Sequence, residues 1–443
     1  MNFTHALVER IGRRFFYGWV IVGVGMLGIF ASGPAQSHTF SVFIGPIALD
    51  LGLSQTEMAS AYGLATLVAA LCLPAMGWFL DRVGAKRMLA VVALLFGTAC
   101  AAFGLVGGIL WLSIGFAALR FLGQGSLMMG SSNMVSQWFN RKRGSALGFM
   151  ALGFGISMAV HPEISQWLIE QVGWREAWLW IGVTTWVLVL PPILILVISK
   201  PEDVSLRPDG IEPASLGVLD KTDVEARGDF TLNEALGAPA FYIIAGALFT
   251  LSMLVTSLHF YQVSIFFDQG LGPNIATKCF AVSSITMVVM MPLVGRMLDR
   301  FRTERMIAVG LVILTASLFL ASAISGLSTA VLFSVVFGLS NAVSMNYVAF
   351  MWPRYFGRTH LGRIQGVGQT ITVIGASLGP LPLALSKDYF GSYDPMLVGV
   401  GAVPLFFAVI AFSFCAILRG LSRRMRHYDF KYSLYDTTFG CWS

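Results

Sequence analysis

Charge is scarce in this chain. Only 12% of its 443 residues are Asp, Glu, Lys or Arg, while 56% are hydrophobic; an ordinary soluble protein carries about 25% charged residues. That excludes a soluble globular protein and places the chain in a bilayer. Cysteine is sparse too. Cys72, Cys100, Cys279, Cys415 and Cys441 are odd in number and unclustered, so neither a disulfide framework nor a zinc site is implied. Acidic residues are absent from the middle of every apolar run: Asp50, Glu57, Glu163, Glu170, Glu176, Asp268, Asp388 and Asp394 mark one set of ends and the rest fall at the other. A buried carboxylate proton relay therefore has no candidate.

What is present is a series of long apolar runs. A membrane-spanning helix needs about 20 mostly apolar residues, and twelve stretches qualify, near 16–45, 55–80, 87–107, 110–138, 144–167, 174–198, 238–266, 276–298, 305–324, 327–352, 363–386 and 395–419. Every Lys and Arg except Arg120, Arg175, Lys278 and Lys387 lies on one side of these spans, which the positive-inside rule makes cytoplasmic. The net charge of +6 thus reports topology and attraction to anionic lipid, not a nucleic-acid partner. The first apolar run is too long for a signal peptide and reads as helix 1.

Residues 199–237 break the pattern, with Pro201, Pro208 and Pro213 amid dense mixed charge. The predicted organisation is an N-terminal six-helix bundle (1–198), a cytoplasmic linker (199–237), a C-terminal six-helix bundle (238–420) and a cytoplasmic tail (421–443). Late in the linker, Thr231 and Glu234 are spaced as the N-cap and capping-box partner of a short interfacial helix.

The chain also repeats itself. Gly77-Trp78-Phe79-Leu80-Asp81-Arg82 and Gly295-Arg296-Met297-Leu298-Asp299-Arg300 are one short charged turn written twice, and Gly144 and Gly148 answer to Gly362 and Gly366 at the same offset. Internal duplication in a polytopic chain marks a secondary transporter with its substrate path between the repeats.

Two motifs common in soluble enzymes occur out of context. Gly23-x-Gly25-x-x-Gly28 and Gly375-Ala376-Ser377-Leu378-Gly379 match a dinucleotide fingerprint and a nucleophile elbow, but each lies inside an apolar run with no preceding strand. Small residues for close helix crossing explain both. No catalytic residue, metal site or cofactor is expected.

Gly77-x-x-x-Asp81-Arg82-x-Gly84-x-Lys86-Arg87 resembles the helix 2–3 motif of the major facilitator superfamily, and Arg120-x-x-Gly123-x-Gly125 resembles its helix 4 motif. Tyr17-Gly18-Trp19, Trp138-Phe139-x-Arg141-Lys142-Arg143-Gly144 and the linker Lys200-Pro201-Glu202-Asp203 resemble the monocarboxylate porter branch with its oxalate/formate antiporter-like members. The resemblance covers the chain to about residue 420. It implies an all-α polytopic membrane protein of twelve transmembrane helices in two six-helix bundles, the major facilitator fold.

The residues then take roles. Gly77, Asp81, Arg82, Lys86 and Arg87, with Asp299 and Arg300 in the second copy, are expected to gate the cytoplasmic side; Arg302 stands where the first copy has Gly84. Arg120 is the only basic residue assigned within a span, and a buried guanidinium there defaults to a functional site or to a structural tie to helix 1 carbonyls. His38, His161 and His259 fall toward the outer parts of helices 1, 5 and 7, where they would meet an entering anion; in the porter branch a position within one residue of His38 is a lysine implicated in that role. Gln124, Gln262, Asn341, Asn346, Gln369 and Thr372 are polar candidates for the path or for interhelical contacts. Helix 8 departs from the branch: Met291 stands where relatives carry an arginine, and Met287 replaces an acidic position.

The expectation is a secondary active transporter of a small organic anion, a mono- or small carboxylate, by alternating access with proton symport or anion exchange. It would sit as a monomer in a bacterial cytoplasmic (inner) membrane with both termini cytoplasmic. Efflux of an amphipathic compound is the alternative within transport, although helix 5 lacks the exporters' Gly-Pro-x-x-Gly-Gly pattern. A membrane ligand sensor that does not transport is the alternative from a different class.

Overall fold

The computed structural model describes residues 8, 15–139, 142–210, 230–301, 303–356 and 361–412, with the side chains of 81, 143, 210, 299, 303, 304, 348–350, 353, 354, 361–363 and 365 outside the description. Arg141, Cys415, Cys441 and the tail 421–443 fall outside it too.

In hydrocarbon a backbone must satisfy its own hydrogen bonds, and helices do so locally. The spans are α1 (Gly18–Leu51), α2 (Gln55–Val83), α3 (Ala85–Phe103) and α4 (Ile109–Trp138), then a continuous stretch Arg143–Leu196. That stretch is two spans: Gly173 adopts φ +81° and ψ 163°, a conformation glycine takes without strain, and divides α5 (143–172) from α6 (174–196). The second half holds α7 (Pro239–Asp268), α8 (Pro273–Arg300), α9 (Thr303–Ser322), α10 (Leu327–Phe356), α11 (Leu361–Leu378, resuming as Pro380–Phe390) and α12 (Asp394–Phe412). Eleven stretches are long and apolar enough to span, and the bend at Gly173 makes twelve helices among the described residues. The turns at 84 and 142, with the ends of described stretches at Phe301 and Phe356, define a basic end of the molecule; the turns at 52–54, 104–108, 173, 269–272, 323–326 and 391–393 define the far end.

Two spans are interrupted where the site lies. In α1 the helix stops at Ala31, passes through a 3-10 turn at Gly33–Ala35 and restarts at Ser37 after an extended Gln36 (φ −95°, ψ 151°). Pro34 has no amide to donate, and side chains close the accounts: Thr39 Oγ1 donates to Gly33 O at 2.7 Å and Ser32 Oγ to Ile29 O at 2.7 Å. In α4 the segment Arg120–Leu127 is wound as π-helix, a form that recurs at functional sites.

The linker begins as a strap over the basic end of the first bundle. Tyr17 Oη donates to Leu196 O (2.8 Å), Trp138 Nε1 to Ile198 O (3.0 Å), the Lys86 amide to Ser199 Oγ (3.2 Å) and the Lys142 amide to Asp209 Oδ1 (3.2 Å). At its other end a short helix, Leu232–Gly237, starts on the predicted Thr231–Glu234 capping box, and the Phe230 amide bonds Phe356 O at the end of α10.

The halves meet along α1 and α7, α2 and α11, and α5 and α8. The contacts across this seam gather in the far half. Ser41 Oγ accepts from the Val263 amide (3.1 Å), Thr277 Oγ1 donates to Glu163 Oε2 (2.7 Å), and Tyr261 Oη donates to Gln55 O (3.2 Å). Ser284 Oγ donates to Gly155 O. A Cβ at Gly63 would collide with the Ser377 carbonyl oxygen, and one at Gly155 with Val288. Toward the basic end a Cβ at Gly77, Gly144, Gly148 or Gly366 would meet nothing within 4 Å. The Ser41, Thr277 and Tyr261 bonds close the seam at the far end.

Candidate functional site

The break in α1 organises the centre of the molecule. Because Gln36 leaves the helix, the Thr39 amide bonds Gln36 O and the Ala35 carbonyl is released from the helical ladder. Arg120 takes it: Nη1 donates to Ala35 O at 3.1 Å, and the guanidinium carbon lies 5.0 Å from the centre of the Tyr62 ring on α2. Arg120 is 4% exposed, and its Nε is buried without an acceptor. Tyr62 Oη pairs with Ser37 Oγ at 2.7 Å. One turn further along α2 the Thr66 hydroxyl is buried and unpartnered, as is Gln124 Oε1 on the π segment. Arg120 thus ties a helix 1 carbonyl, as one of the two sequence readings expects, and its Nε has no acceptor.

The three histidines also converge, at the seam. His38 is 1% exposed, and its Nε2 lies 3.4 Å from Ser157 Oγ on α5, which lies 3.1 Å from His161 Nδ1. Close approach of α1 and α5 depends on Gly33, since a Cβ there would overlap His161 Nδ1 and Ser157 Oγ. Across the seam the His259 ring stands 6.1 Å from His38, and its Nε2 is 3.3 Å from Asn341 Nδ2 on α10. Phe30, Phe154, Phe280 and Phe337 border the imidazoles, at ring separations of 4.7 to 6.3 Å.

The other polar candidates divide. Asn341 joins the histidines. Gln262 is buried, with Nε2 donating to Ala276 O at 3.3 Å and Oε1 without a partner. Asn346 is spent on backbone, donating to Met291 O (3.3 Å) and Ala342 O (2.8 Å). Thr372 bonds back to Gly368 O at 2.9 Å, one turn earlier in its own helix, and Gln369 is exposed. Arg120 therefore stands at the α1 break, the three histidines and Asn341 stand together at the seam, and Asn346 and Thr372 serve their helices.

At the basic end, Arg82 lies over the Trp78 ring at 4.9 Å, and Gly84 ends α2 at φ +81°. Arg87 and Arg300 are exposed and Lys86 is half-buried. The side chains of Asp81 and Asp299 lie outside the described set. The lock among the described residues is at the opposite end, in residues to which the sequence pattern assigns no role. Asp388 Oδ2 accepts from the Thr56 amide (2.8 Å) and Oδ1 from the Gln55 amide (3.3 Å), so α11 caps the first turn of α2 across the seam. Ion pairs Asp50–Arg175 (2.7 Å) and Asp268–Lys387 flank it. Half of the signal is in the sequence, since Asp388 is among the few acids at that end; its partner is not, because a backbone amide has no sequence signature.

The two enzyme-like motifs lie within helices α1 and α11, remote from any strand–turn–helix context, so neither is a catalytic loop. The sequence profile of the Major Facilitator Superfamily matches residues 25–380. The chain belongs to that superfamily.

Among superfamily relatives, the oxalate:formate antiporter of Oxalobacter formigenes is 25% identical over 252 residues, covering 55% of this chain and 53% of that protein. The matched stretch is thus about half of that relative's length. The cis,cis-muconate transport protein of Acinetobacter baylyi is 23% identical over 379 residues, 80% of this chain and 82% of that protein. In solved structures, a bacterial homologue of the human lysosomal transporter Spinster, inward-facing and unoccupied, superposes with a TM-score of 0.65 at 16% identity, covering 90% of this chain and 96% of that one. This major facilitator protein has the superfamily's two-bundle, multi-pass fold.

Proposed function

We propose that this major facilitator protein carries a small organic anion, with its carboxylate bound at Arg120, by alternating access between the two bundles. The observation that carries the reading is the buried Arg120 guanidinium at the break in α1, holding one carbonyl and leaving Nε free. A guanidinium inside a membrane protein costs several kcal/mol unless it is paired, and a planar carboxylate is the partner its fork fits best. The released carbonyl and the π-wound segment are the kind of broken helix that builds transporter sites near the bilayer midplane.

The organic acids named for the two relatives support the same substrate class. Met287 and Met291 stand on α8 where the resembled branch carries ionisable groups, which favours one carboxylate over two. The seam geometry supports a resting form closed at the far end. Under the positive-inside assignment that end is outside, the protein is inward-facing, both termini are cytoplasmic, and the location is a bacterial cytoplasmic membrane. A monomer suffices, because both bundles come from one chain.

The test is counterflow in proteoliposomes containing the purified full chain, using radiolabelled oxalate, formate, muconate, lactate and benzoate with and without a pH gradient. Saturable uptake of at least one acid, competed by its neighbours in size, is expected. Failure of every carboxylate, together with movement of an amphipathic cation, would replace this reading with efflux.

A further inference from the structure

One aromatic ring touches both the buried arginine and the opposite bundle. Tyr62 of α2 is fully buried. The Arg120 guanidinium carbon lies 5.0 Å from its ring centre, and across the seam the ring of Phe260 on α7, also fully buried, lies 4.5 Å away at an interplanar angle of 47°. Tyr62 Oη pairs at 2.7 Å with Ser37 Oγ, on the first residue of the restarted α1 helix. Phe40 of α1 and Phe116 of α4 stand against the same ring at 5.8 and 5.7 Å.

The contacts that close the far end flank this pair. Gly63, the next residue of α2, leaves no room for a Cβ against the Ser377 carbonyl of α11. Tyr261, the next residue of α7, donates to Gln55 O at the start of α2, and Ser41, one turn beyond Ser37, accepts from the Val263 amide. The ring beside Arg120 is therefore itself part of the seam between the bundles.

We infer that Tyr62 is a positioning residue linking Arg120 to the far-end seam: the guanidinium against its ring holds that ring on Phe260, and drawing the guanidinium away loosens the closure. The inference rests on the anion reading above for its ligand and adds how that ligand reaches the gate. A guanidinium out of water is attracted to the negative face of an aromatic ring. In this form Arg120 has the Ala35 carbonyl and the Tyr62 ring, and its Nε has no acceptor. A carboxylate makes charge-assisted, bidentate hydrogen bonds to the same fork, and it neutralises the charge that the ring face attracts. The ring then loses the contact that sets its position against Phe260. Packed interfaces switch between discrete arrangements rather than deforming continuously, so the loss appears as a shift in population toward the far-end-open form.

The direction is the one a carrier needs. An empty site favours a closed far end, and a filled site releases it. By linkage, parting Phe260 from Tyr62 must favour anion binding by the same factor by which the anion favours opening.

The test uses the full chain in nanodiscs without substrate, so its outcome is separate from whether any carboxylate is carried. Spin labels at Leu49 and Phe267, exposed residues at the far ends of α1 and α7, in protein lacking its five native cysteines, read the far-end-open form as a long-distance population. Arg120→Gln removes the cation and is expected to raise that population at least about threefold, the scale of one cation–ring contact. Phe260→Leu should raise it too, and the two should not multiply: in the Phe260→Leu background Arg120→Gln should add less than about 1.5-fold. Tyr62→Phe keeps the ring and gives up only the Ser37 bond, so it should respond to Arg120→Gln as the wild type does. Tyr62→Leu keeps bulk without the ring face and should abolish the response, while its remaining short-distance population shows that it is folded. Multiplying effects of Arg120→Gln and Phe260→Leu overturn the proposal. So does an unchanged population in Arg120→Gln, or a response to it that survives Tyr62→Leu. Failure of every carboxylate in counterflow alongside the expected cycle would overturn the anion reading and leave the Tyr62 link standing.

Discussion

Asp388 reaches across the seam between the two bundles to cap the first turn of α2, accepting from the backbone amides of Thr56 and Gln55 at 2.8 and 3.3 Å. A carboxylate at a helix N-terminus gains from the unpaired amides and from the helix dipole. Because the carboxylate and the helix belong to different halves, that gain exists only while the far end is shut.

Asp388→Asn should therefore loosen the far end without unfolding either bundle. A partly exposed capping carboxylate contributes roughly 0.3 to 1 kcal/mol, which corresponds to a shift of about twofold to fivefold toward the far-end-open form. Reactivity of an introduced cysteine at Ser41 toward a membrane-impermeant maleimide reads this directly. Unchanged reactivity would remove the latch from the conformational equilibrium.

Close approach at Gly63 and Gly155 should be as decisive as any charge. Adding a methyl at Gly63 drives it into the Ser377 carbonyl, and a side chain at Gly155 meets Val288. Gly63→Ala and Gly155→Val are expected to obstruct sealing of the far end and cut transport at least about tenfold, since packed interfaces do not absorb such overlaps without shifting. Gly366→Ala, which meets open space here, tests the other form: impaired transport with a normally sealed far end would place it in the seam that closes at the basic end.

Arg120→Lys keeps the charge but loses the planar fork. Apparent affinity for a carboxylate substrate should fall at least about tenfold, the scale of one charge-assisted hydrogen bond, and Arg120→Ala should abolish saturable binding. Because Ala35 O also loses its donor, thermal stability should fall in the alanine variant more than in the lysine variant. Equal affinity of wild type and lysine variant, measured by competition in counterflow, would assign Arg120 to the α1 break alone.

The duplicated turns make a comparative prediction. Asp81→Asn is expected to reduce transport severely while expression stays near normal, and Asp299→Asn to do less, because its turn carries Arg302 in place of Gly84, a position that takes φ +81° in the first copy. Transport assayed for both variants at matched membrane abundance decides this. Wild-type flux in both would end the gating role of the pair.

The residues conspicuous in the sequence are those that violate their surroundings. Arg120 and three histidines in apolar runs stand out on hydropathy alone, because their energetic cost in a membrane is a property of the side chain and the run around it. Asn346 and Thr372 look the same in the sequence and differ only in what lies beside them: Asn346 bonds Met291 O and Ala342 O, and Thr372 bonds Gly368 O. Ser157, Tyr62 and Asp388 are inconspicuous, because a serine or tyrosine on a helix, or an acid at a membrane end, is ordinary until its partner is known.

The sequence by itself determined the number of spans, the duplication and the superfamily. All of these follow from period, length and charge along one dimension, and the bilayer leaves the backbone no other regular solution. Tertiary structure alone decided which end is sealed, that the break at Ser32–Gln36 hands the Ala35 carbonyl to Arg120, and that His38 and His259 face each other from separate bundles. Those outcomes depend on the relative placement of helices far apart in the chain. Such placement is set by which small residues pack against which helix and by bonds to backbone atoms, and the order of side chains names the partner of neither.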